Sequence, residues 1–394
     1  MAELTKGQQN ALNKLIHWYK AADSGQVFRV FGYAGVGKSY SINAFIDAMG
    51  IQRGHVKFAT YTGKAALVLC KKGIPATTIH KLIYTPIEEE VEKEMPDGST
   101  KKIKKIKFIK KADLHPDIEL IVIDECSMVG EKLWDDLLSF KRPIIVLGDT
   151  AQLPPIDGKS PIIDVTPDAF LDEIVRQAAG NPIIHLSMLA RQGKPINFGN
   201  YGNTVNVIRM DEMPDEVLTE SDIMLVATNQ VRDELNTYMR KEIYKRDSTM
   251  PMVGDKLICR KNNWDKVLNG IPLVNGLIGE VVSPIRYEAG SSDKTFMMDF
   301  RPEGFKNLYF EDLECNIDIF NPSHTANKRK EIASNRYSKG DMFEYGNAIT
   351  IHLSQGSQWN NVGIYYVPFG DAEFRRKLLY TAITRAESKL TLIK

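Results

Sequence analysis

Gly32 to Ser39 read GYAGVGKS, which carries the spacing G-x-x-x-x-G-K-S, and Tyr40 follows. Glycines at those places let a backbone turn tightly and direct its N–H groups at phosphate oxygens. Lysine at the end of such a loop reaches the β- and γ-phosphates, and the serine hydroxyl suits Mg²⁺. Gly35, Val36, Gly37, Lys38, Ser39 and Tyr40 are therefore the expected cradle for a nucleoside triphosphate with Mg²⁺. The loop by itself is silent on what the energy of that nucleotide drives.

Other residues could complete the chemistry. Asp124 and Glu125 end an apolar run, Ile118 to Ile123. Two adjacent carboxylates there suit one on the metal (Asp124, with Ser39) and one orienting the attacking water (Glu125). Gln152 stands just past a second apolar run in GDTAQLPP, where it could sense the γ-phosphate. Arg176 and Arg385 are candidate arginine fingers, groups that contribute roughly 10³–10⁵ in rate at such sites. Gln8 has two readings. With Thr5 it forms S/T-x-x-E/Q, a capping box; as a residue just upstream of the loop's strand, it could recognise adenine.

Positioning these groups requires strands that end at the site and helices that start there. Val27 to Phe31 is a β-branched and aromatic run, so a strand should feed the loop. Ile42, Phe45, Ile46 and Met49 recur at helical spacing after it, and Gly50 supplies a stop. Ala11, Leu12, Leu15, Ile16 and Tyr19 line one face of an opening helix. Further strands are expected at Val56–Tyr61, Ile118–Ile123 and Ile144–Leu147, with a helix from Glu131 to Phe140. Strands alternating with helices, with polar residues past the strands' carboxyl ends, imply a doubly wound parallel sheet that binds its ligand at that edge.

Two stretches break the alternation. IEEEVEKEM, then PDGS, then KKIKKIKFIKK imply a hairpin with Glu88 to Glu94 facing Lys101 to Lys107. From Met250 to about Pro322 short strands and turn glycines imply a small β-barrel, followed by a basic exposed arm, Thr325 to Gly340. Around them the α/β pattern continues: a strand Ile223–Ala227, a helix Asn229–Arg246, strands Val362–Val367 and Leu390–Ile393, and LLYTAITRA between the last two.

Composition narrows the class. Charged residues are 26% and hydrophobic ones 43% of 394 residues, an ordinary globular balance with length for two or three domains. A net charge of +1 means that any nucleic-acid site is a local groove and not a basic surface. The four cysteines are far apart and form no C-x-x-C, which argues for a reducing compartment and against a metal or disulfide framework. No signal peptide and no apolar run of membrane length is evident, so a cytoplasmic location with no membrane partner is expected.

In order along nearly the whole chain, LTKGQQNA, GYAGVGKS, TGKAA, ATTIH, IDECSM, GDTAQLPP, VRQAAGNPII, AITIHLSQGS and LYTAITRA resemble the motifs of the superfamily-one helicases, in their RecD/Dda-like 5′-to-3′ branch. That resemblance implies two RecA-like domains, here 1–176 and 177–394, with ATP between them and single-stranded DNA across their tops. It implies a β-hairpin inserted in the first domain, at about 83–112, and an SH3-like β-barrel and arm in the second, at about 250–342. It also implies that Gln8 reads adenine, that Arg176 and Arg385 reach the γ-phosphate, and that Gly356 lies near the ribose. Thr62, Lys64, His80, Thr350 and His352 are the implied contacts to the strand. Where the family often has an acid after the glycine, Ser357, Gln358 and Trp359 follow Gly356, and Trp359 reads as a core residue. The expected activity is ATP-dependent 5′-to-3′ translocation and unwinding of forked duplex DNA by a monomer, with the hairpin as wedge. The alternative is a P-loop ATPase acting on RNA or protein without unwinding.

Overall fold

Phe28, Val30 and Phe31 are buried because strand β1 (Val27–Gly32) lies inside a parallel sheet, between β7 (Ile144–Gly148) and β8 (Ala169–Leu171). The computed structural model describes residues 4–21, 24–94, 100–154, 160–173, 180–268, 271–287, 294–334 and 338–394. They fall into two units, the first comprising Met1–Tyr61, Leu69–Thr150 and Pro154–Glu173. Its six described sheet strands run in parallel in the order β3-β2-β6-β7-β1-β8, with β2 (Val56–Thr60), β3 (Ala76–Thr78) and β6 (Leu120–Asp124) completing it.

Both faces of this sheet are covered, which is why its strands read as unbroken apolar runs. Helices α1 (Lys6–Lys20) and α2 (Lys38–Met49) close one face with Leu12, Leu15, Ile42 and Phe45 against Val30, Val122 and Leu147. Helices α4 (Ile79–Ile83) and α5 (Glu131–Leu138) close the other with Ile79, Leu133 and Trp134 against Ile121, Ile123 and Val146. Between α4 and β6 runs an antiparallel pair, β4 (Tyr84–Glu94) and β5 (Thr100–Lys110). Its register sets Glu89, Glu90 and Glu92 opposite Lys105, Lys104 and Lys102, while Glu88 meets Ile106 and Lys93 meets Lys101. The turn, residues 95–99, lies outside the described residues.

The second unit comprises Thr62–Val68, Ala151–Leu153 and Ile174–Lys394. It therefore takes in most of α3 (Gly63–Lys71) and the short peptide around Gln152. Its main sheet has β9 (Gly199–Tyr201), β10 (Val205–Ile208), β11 (Ile223–Val226), β19 (Ala348–Thr350), β20 (Trp359–Tyr365) and β21 (Ala386–Ile393). They run in the order β19-β11-β20-β21-β10-β9, parallel except for the edge strand β9. Helices α6 (Pro182–Gln192), α7 (Asp215–Glu220), α8 (Asn229–Tyr238) and α10 (Ala372–Ile383) belong to this layer.

A separate antiparallel sheet, ordered β17-β16-β15-β12-β18, is built from β12 (Lys256–Cys259), β15 (Ile278–Val281), β16 (Thr295–Pro302), β17 (Phe310–Asn316) and β18 (Phe343–Tyr345). A ribbon of β13 (Asn263–Leu268) and β14 (Ile271–Leu273) accompanies it, and Phe296, Phe300, Leu313 and Phe343 fill its core.

Two expected elements come out differently. The helix expected over Asn229–Arg246 ends as an α-helix at Tyr238, and Met239–Ile243 widen into a π-turn. Arg240 in that turn is buried, with Nε and Nη2 donating to Asp255 at 3.2 and 3.0 Å and the guanidinium 4.1 Å from the Tyr345 ring centroid. The stretch expected as an arm contains a helix, α9 (Ala326–Ser334). Arg329 ties it down by ion pairs to Asp233 and Glu344. Among the described residues, no helix is long and apolar enough to cross a membrane.

Candidate active site

The phosphate loop leaves β1 at Gly32 and enters α2 at Lys38. Gly35 and Gly37 hold φ of 80° and 75°, the left-handed region in which a side chain is strained. Gly37 is the N-cap of α2 and no side chain caps it, so the first-turn N–H groups are not committed to a capping oxygen. Lys38 Nζ donates to the carbonyls of Gly32 and Tyr33, at 2.7 and 3.1 Å, across the mouth of its own loop. An uncapped helix start, left-handed glycines and a lysine folded over them form a donor set that fits a nucleotide's phosphates. The side chains of Ser39 and Tyr40, and the whole of Arg176, lie outside the described residues.

Gln8 is buried, and both ends of its amide are engaged. Its Oε1 accepts from the Thr5 N–H at 3.0 Å and its Nε2 donates to the Val36 carbonyl at 2.9 Å. Thr5 Oγ1 accepts in return from the Gln8 N–H, so the capping box is complete. The same side chain that starts α1 thus also pins the phosphate loop. Sequence spacing alone pointed to the cap or to adenine, and carried no sign of the loop contact.

Asp124 sits at the carboxyl end of β6, in the same sheet as β1. Its Oδ1 accepts from the Glu125 N–H at 2.9 Å. Burial pushes its carboxyl above the usual carboxylate range, while the Lys38 ammonium, the Glu125 N–H and Lys72 oppose that rise. Glu125 holds φ 52° and ψ 49°, a left-handed conformation that costs a non-glycine residue of order 1–3 kcal/mol. The turn starts a short 3₁₀ segment, Cys126–Met128. Among the described residues no cluster of three His, Cys, Asp or Glu side chains could hold a metal by itself. Asp124 with a loop hydroxyl is a sparse protein ligand set, which suits Mg²⁺ shared with substrate phosphates.

In the second unit three separate stretches are hooked into a ring. Thr381 Oγ1 accepts from the Leu153 N–H at 3.0 Å, and Gln355 Nε2 donates to the Leu153 carbonyl at 2.9 Å. Arg385 donates through Nε to the Thr381 carbonyl (3.1 Å), through Nη1 to the Ser357 carbonyl (3.2 Å) and through Nη2 to Thr384 Oγ1 (3.1 Å). Gln152, next to Leu153, is buried with an Oε1 that no donor reaches among the described residues. Gln355 and Thr381 were not singled out from the sequence, although both lie inside quoted stretches. A glutamine and a threonine there look like ordinary polar residues until their partners are known.

Of the five candidate strand contacts, the two threonines accept cap hydrogen bonds and the other three side chains meet aromatic rings. Thr62 Oγ1 accepts from the Ala65 N–H at 3.2 Å, and Thr350 Oγ1 from the Leu353 N–H at 3.4 Å. Lys64 Nζ lies 4.2 Å from the centroid of Trp359, which is buried and donates Nε1 to Glu303 at 3.2 Å. His80 packs among Tyr61, Tyr84 and Phe108, and His352 stacks on Phe374. Burial lowers the pKa of both histidines. Gly356 has a packing reason of its own: at φ 73°, a Cβ there would come within 2.8 Å of the Ala65 Cβ.

Against known proteins, residues 3–212 match the AAA domain family, and residues 345–393 match the UvrD-like helicase C-terminal domain. The ATP-dependent RecD2 DNA helicase of Deinococcus radiodurans is 24% identical over 91% of the chain, which spans 45% of that protein. The ATP-dependent DNA helicase dda of Enterobacteria phage T4 is 28% identical over 97% of both chains. Bacteroides Pif1 bound to ssDNA superposes with a TM-score of 0.54 at 18% identity, covering 100% of this chain and 92% of that one, which is a likeness of fold. The chain belongs to the AAA domain family and, with the ordered motifs of its sequence, to the RecD/Dda-like helicases of superfamily one.

Proposed function

We propose that this protein is an ATP-dependent DNA helicase that tracks 5′-to-3′ along single strands and opens forked duplexes. The observation that carries the reading is the pairing of two strand ends in one sheet. An uncapped, glycine-turned loop leaves β1, and a half-buried acid followed by a left-handed glutamate leaves β6. Bound MgATP would supply the reacting phosphoryl group and a metal charge that offsets the negative charge developing on it. Lys38 and the loop N–H groups bind and orient the phosphates, Ser39 and Asp124 hold the metal, and Glu125 aligns the attacking water and takes its proton. Arg176, Arg385 and Gln152 complete the charge stabilisation, with the Arg385–Thr381–Leu153–Gln355 ring fixing where Gln152 stands. Gln8 reaches adenine by exchanging its Val36 bond for the base.

The two units are read as RecA-like motor domains bounded near residue 176, with the antiparallel sheet as an SH3-like barrel. Thr62, Lys64, His80, Thr350 and His352 contact the strand, in a monomer of the cytoplasm. The β4–β5 pair is the wedge. Opening a base-pair step costs roughly 1.4 kcal/mol of stacking, so a wedge need only block re-pairing while the motor advances. Replacing residues 94–103 by a Gly-Ser linker leaves strand-stimulated hydrolysis and removes unwinding, if this is right.

The test is strand separation on duplexes carrying only a 5′ or only a 3′ tail, made in DNA and in RNA. Unwinding confined to the 5′-tailed DNA is expected. Hydrolysis that ignores every nucleic acid would instead favour a P-loop ATPase acting on protein.

A further inference from the structure

Past the carboxyl end of β20 the chain reads Tyr366-Val367-Pro368-Phe369-Gly370-Asp371 before α10 begins. Phe369 is 52% exposed. A single exposed phenylalanine needs no explanation, but this one is the outer member of a stack. Its ring meets Phe374 edge-on, with centroids 5.9 Å apart and planes at 77°. Phe374 in turn lies nearly parallel to His352, at 6.0 Å and 29°.

The backbone is shaped to hold this arrangement. Gly370 has φ 78°, and a Cβ there would come within 2.7 Å of the Phe374 ring. Asp371 caps α10 by accepting from the Phe374 N–H at 2.8 Å. The turn and the cap therefore both fix Phe374, and Phe374 backs Phe369. Arg375 donates Nε to the Asp371 carbonyl at 3.2 Å and is exposed. Arg375 follows Phe374 directly in the first turn of α10, and its guanidinium opposes the rise that burial imposes on the Tyr366 hydroxyl.

Topology gives the shelf its address. β19 and β20 both pair in parallel with β11, so their carboxyl ends lie on one edge of the sheet. His352 follows β19 and Phe369 follows β20. Ligands of open α/β sheets bind outside that edge. Aromatic faces interleaved with a cation, on a polar edge, match the chemistry of a single-stranded nucleic acid: bases stack and phosphates pair with the cation.

We propose that Phe369, backed by Phe374 and His352 and flanked by Arg375, is a stacking platform for one nucleobase of the bound single strand. This rests on the helicase reading and adds a base contact to its strand site. Because every base has a π-face, the platform is tolerant of sequence, as a translocating motor requires.

The experiment is equilibrium binding of fluorescein-labelled oligo-dT, read by anisotropy over a series of salt concentrations. Phe369→Ala is expected to weaken binding about tenfold, the loss of one base–aromatic stack. Its slope of log K against log salt stays that of the wild type, because no phosphate contact is lost. Phe369→Trp restores affinity. Arg375→Ala shallows the slope by roughly one contact instead. Replacing bases by abasic sugars weakens wild-type binding by more than it weakens Phe369→Ala. Phe369 is exposed, so the variants should melt at the wild-type temperature, which checks the fold. If the wild type binds the strand and Phe369→Ala binds within twofold of it, the platform is overturned while the helicase reading stands. No strand binding by the wild type overturns both.

Discussion

The phosphate-loop region of the first unit and the Arg385 region of the second are finished to different degrees. In the first unit α2 starts without a side-chain cap, Glu125 is held left-handed, and burial raises the pKa of the half-buried Asp124. In the second unit Arg385, Thr381 and Gln355 are closed on one another and on Leu153. A left-handed non-glycine residue and a carboxylate that burial disfavours store free energy that a ligand can release. Satisfied networks instead specify geometry and hold it. On the proposed function, the first region binds and reacts, and the second sets where Gln152 and Arg385 stand.

Removing Lys38 should break the first region outright. Lys38→Ala is expected to lower ATP turnover by at least 10²–10³, roughly the loss of one oxyanion donor or more, with the circular dichroism of the wild type. A folded variant with substantial turnover would take the loop out of the mechanism. Glu125→Gln should keep MgATP binding and slow hydrolysis by roughly 10²–10⁴, the scale of a lost general base. Loss of nucleotide binding in that variant would make Glu125 a metal or structural residue and reverse the two acids.

Cutting the ring should act more gently and on stability first. Thr381→Val leaves the buried Leu153 N–H without its acceptor, a cost of about 1–3 kcal/mol in denaturant unfolding. Gln355→Leu removes the other bond to Leu153. Because both act on the backbone of one residue, the double variant should fall short of the sum of the singles. Strict additivity would show that the ring is two unrelated hydrogen bonds.

The smallest effect is expected at Asp124. A carboxyl raised by burial is favoured protonated in the folded state, so its stability contribution falls as pH climbs from the unfolded value near 3.9 through the raised folded one. Above the raised folded-state pKa the penalty of the charge is present in full. Asp124→Asn should therefore raise Tm in the absence of nucleotide, even as hydrolysis is lost. A lower Tm would mean that pairing with Lys38 outweighs burial.

How much of this was legible in the sequence differs between the same two regions. The first is local: Gly32 to Ser39 lie on one loop, and continuous apolar runs such as Leu120 to Ile123 mark strands covered on both faces. Pattern and spacing carry such features. The ring is non-local, because Leu153 lies 202 positions from Gln355 and 228 from Thr381 and meets them only through the fold. Nothing in a single polar residue announces such a partner. The π-turn at Met239–Ile243 is hidden for a related reason, since its helical spacing is intact and the widening accompanies the distant Arg240–Asp255 pair. Gln8 shows the intermediate case: its cap bond was readable at a spacing of three residues, and its bond to Val36 was not.

The central claim is that the loop and acids of the first unit do work on a nucleic-acid strand. The most direct measurement is steady-state ATP hydrolysis by the wild type with and without saturating single-stranded DNA, with Lys38→Ala as the blank. The account predicts little turnover by the protein alone, a rise of an order of magnitude or more when the strand is added, and no rise in the blank. Equal turnover with and without the strand would contradict it.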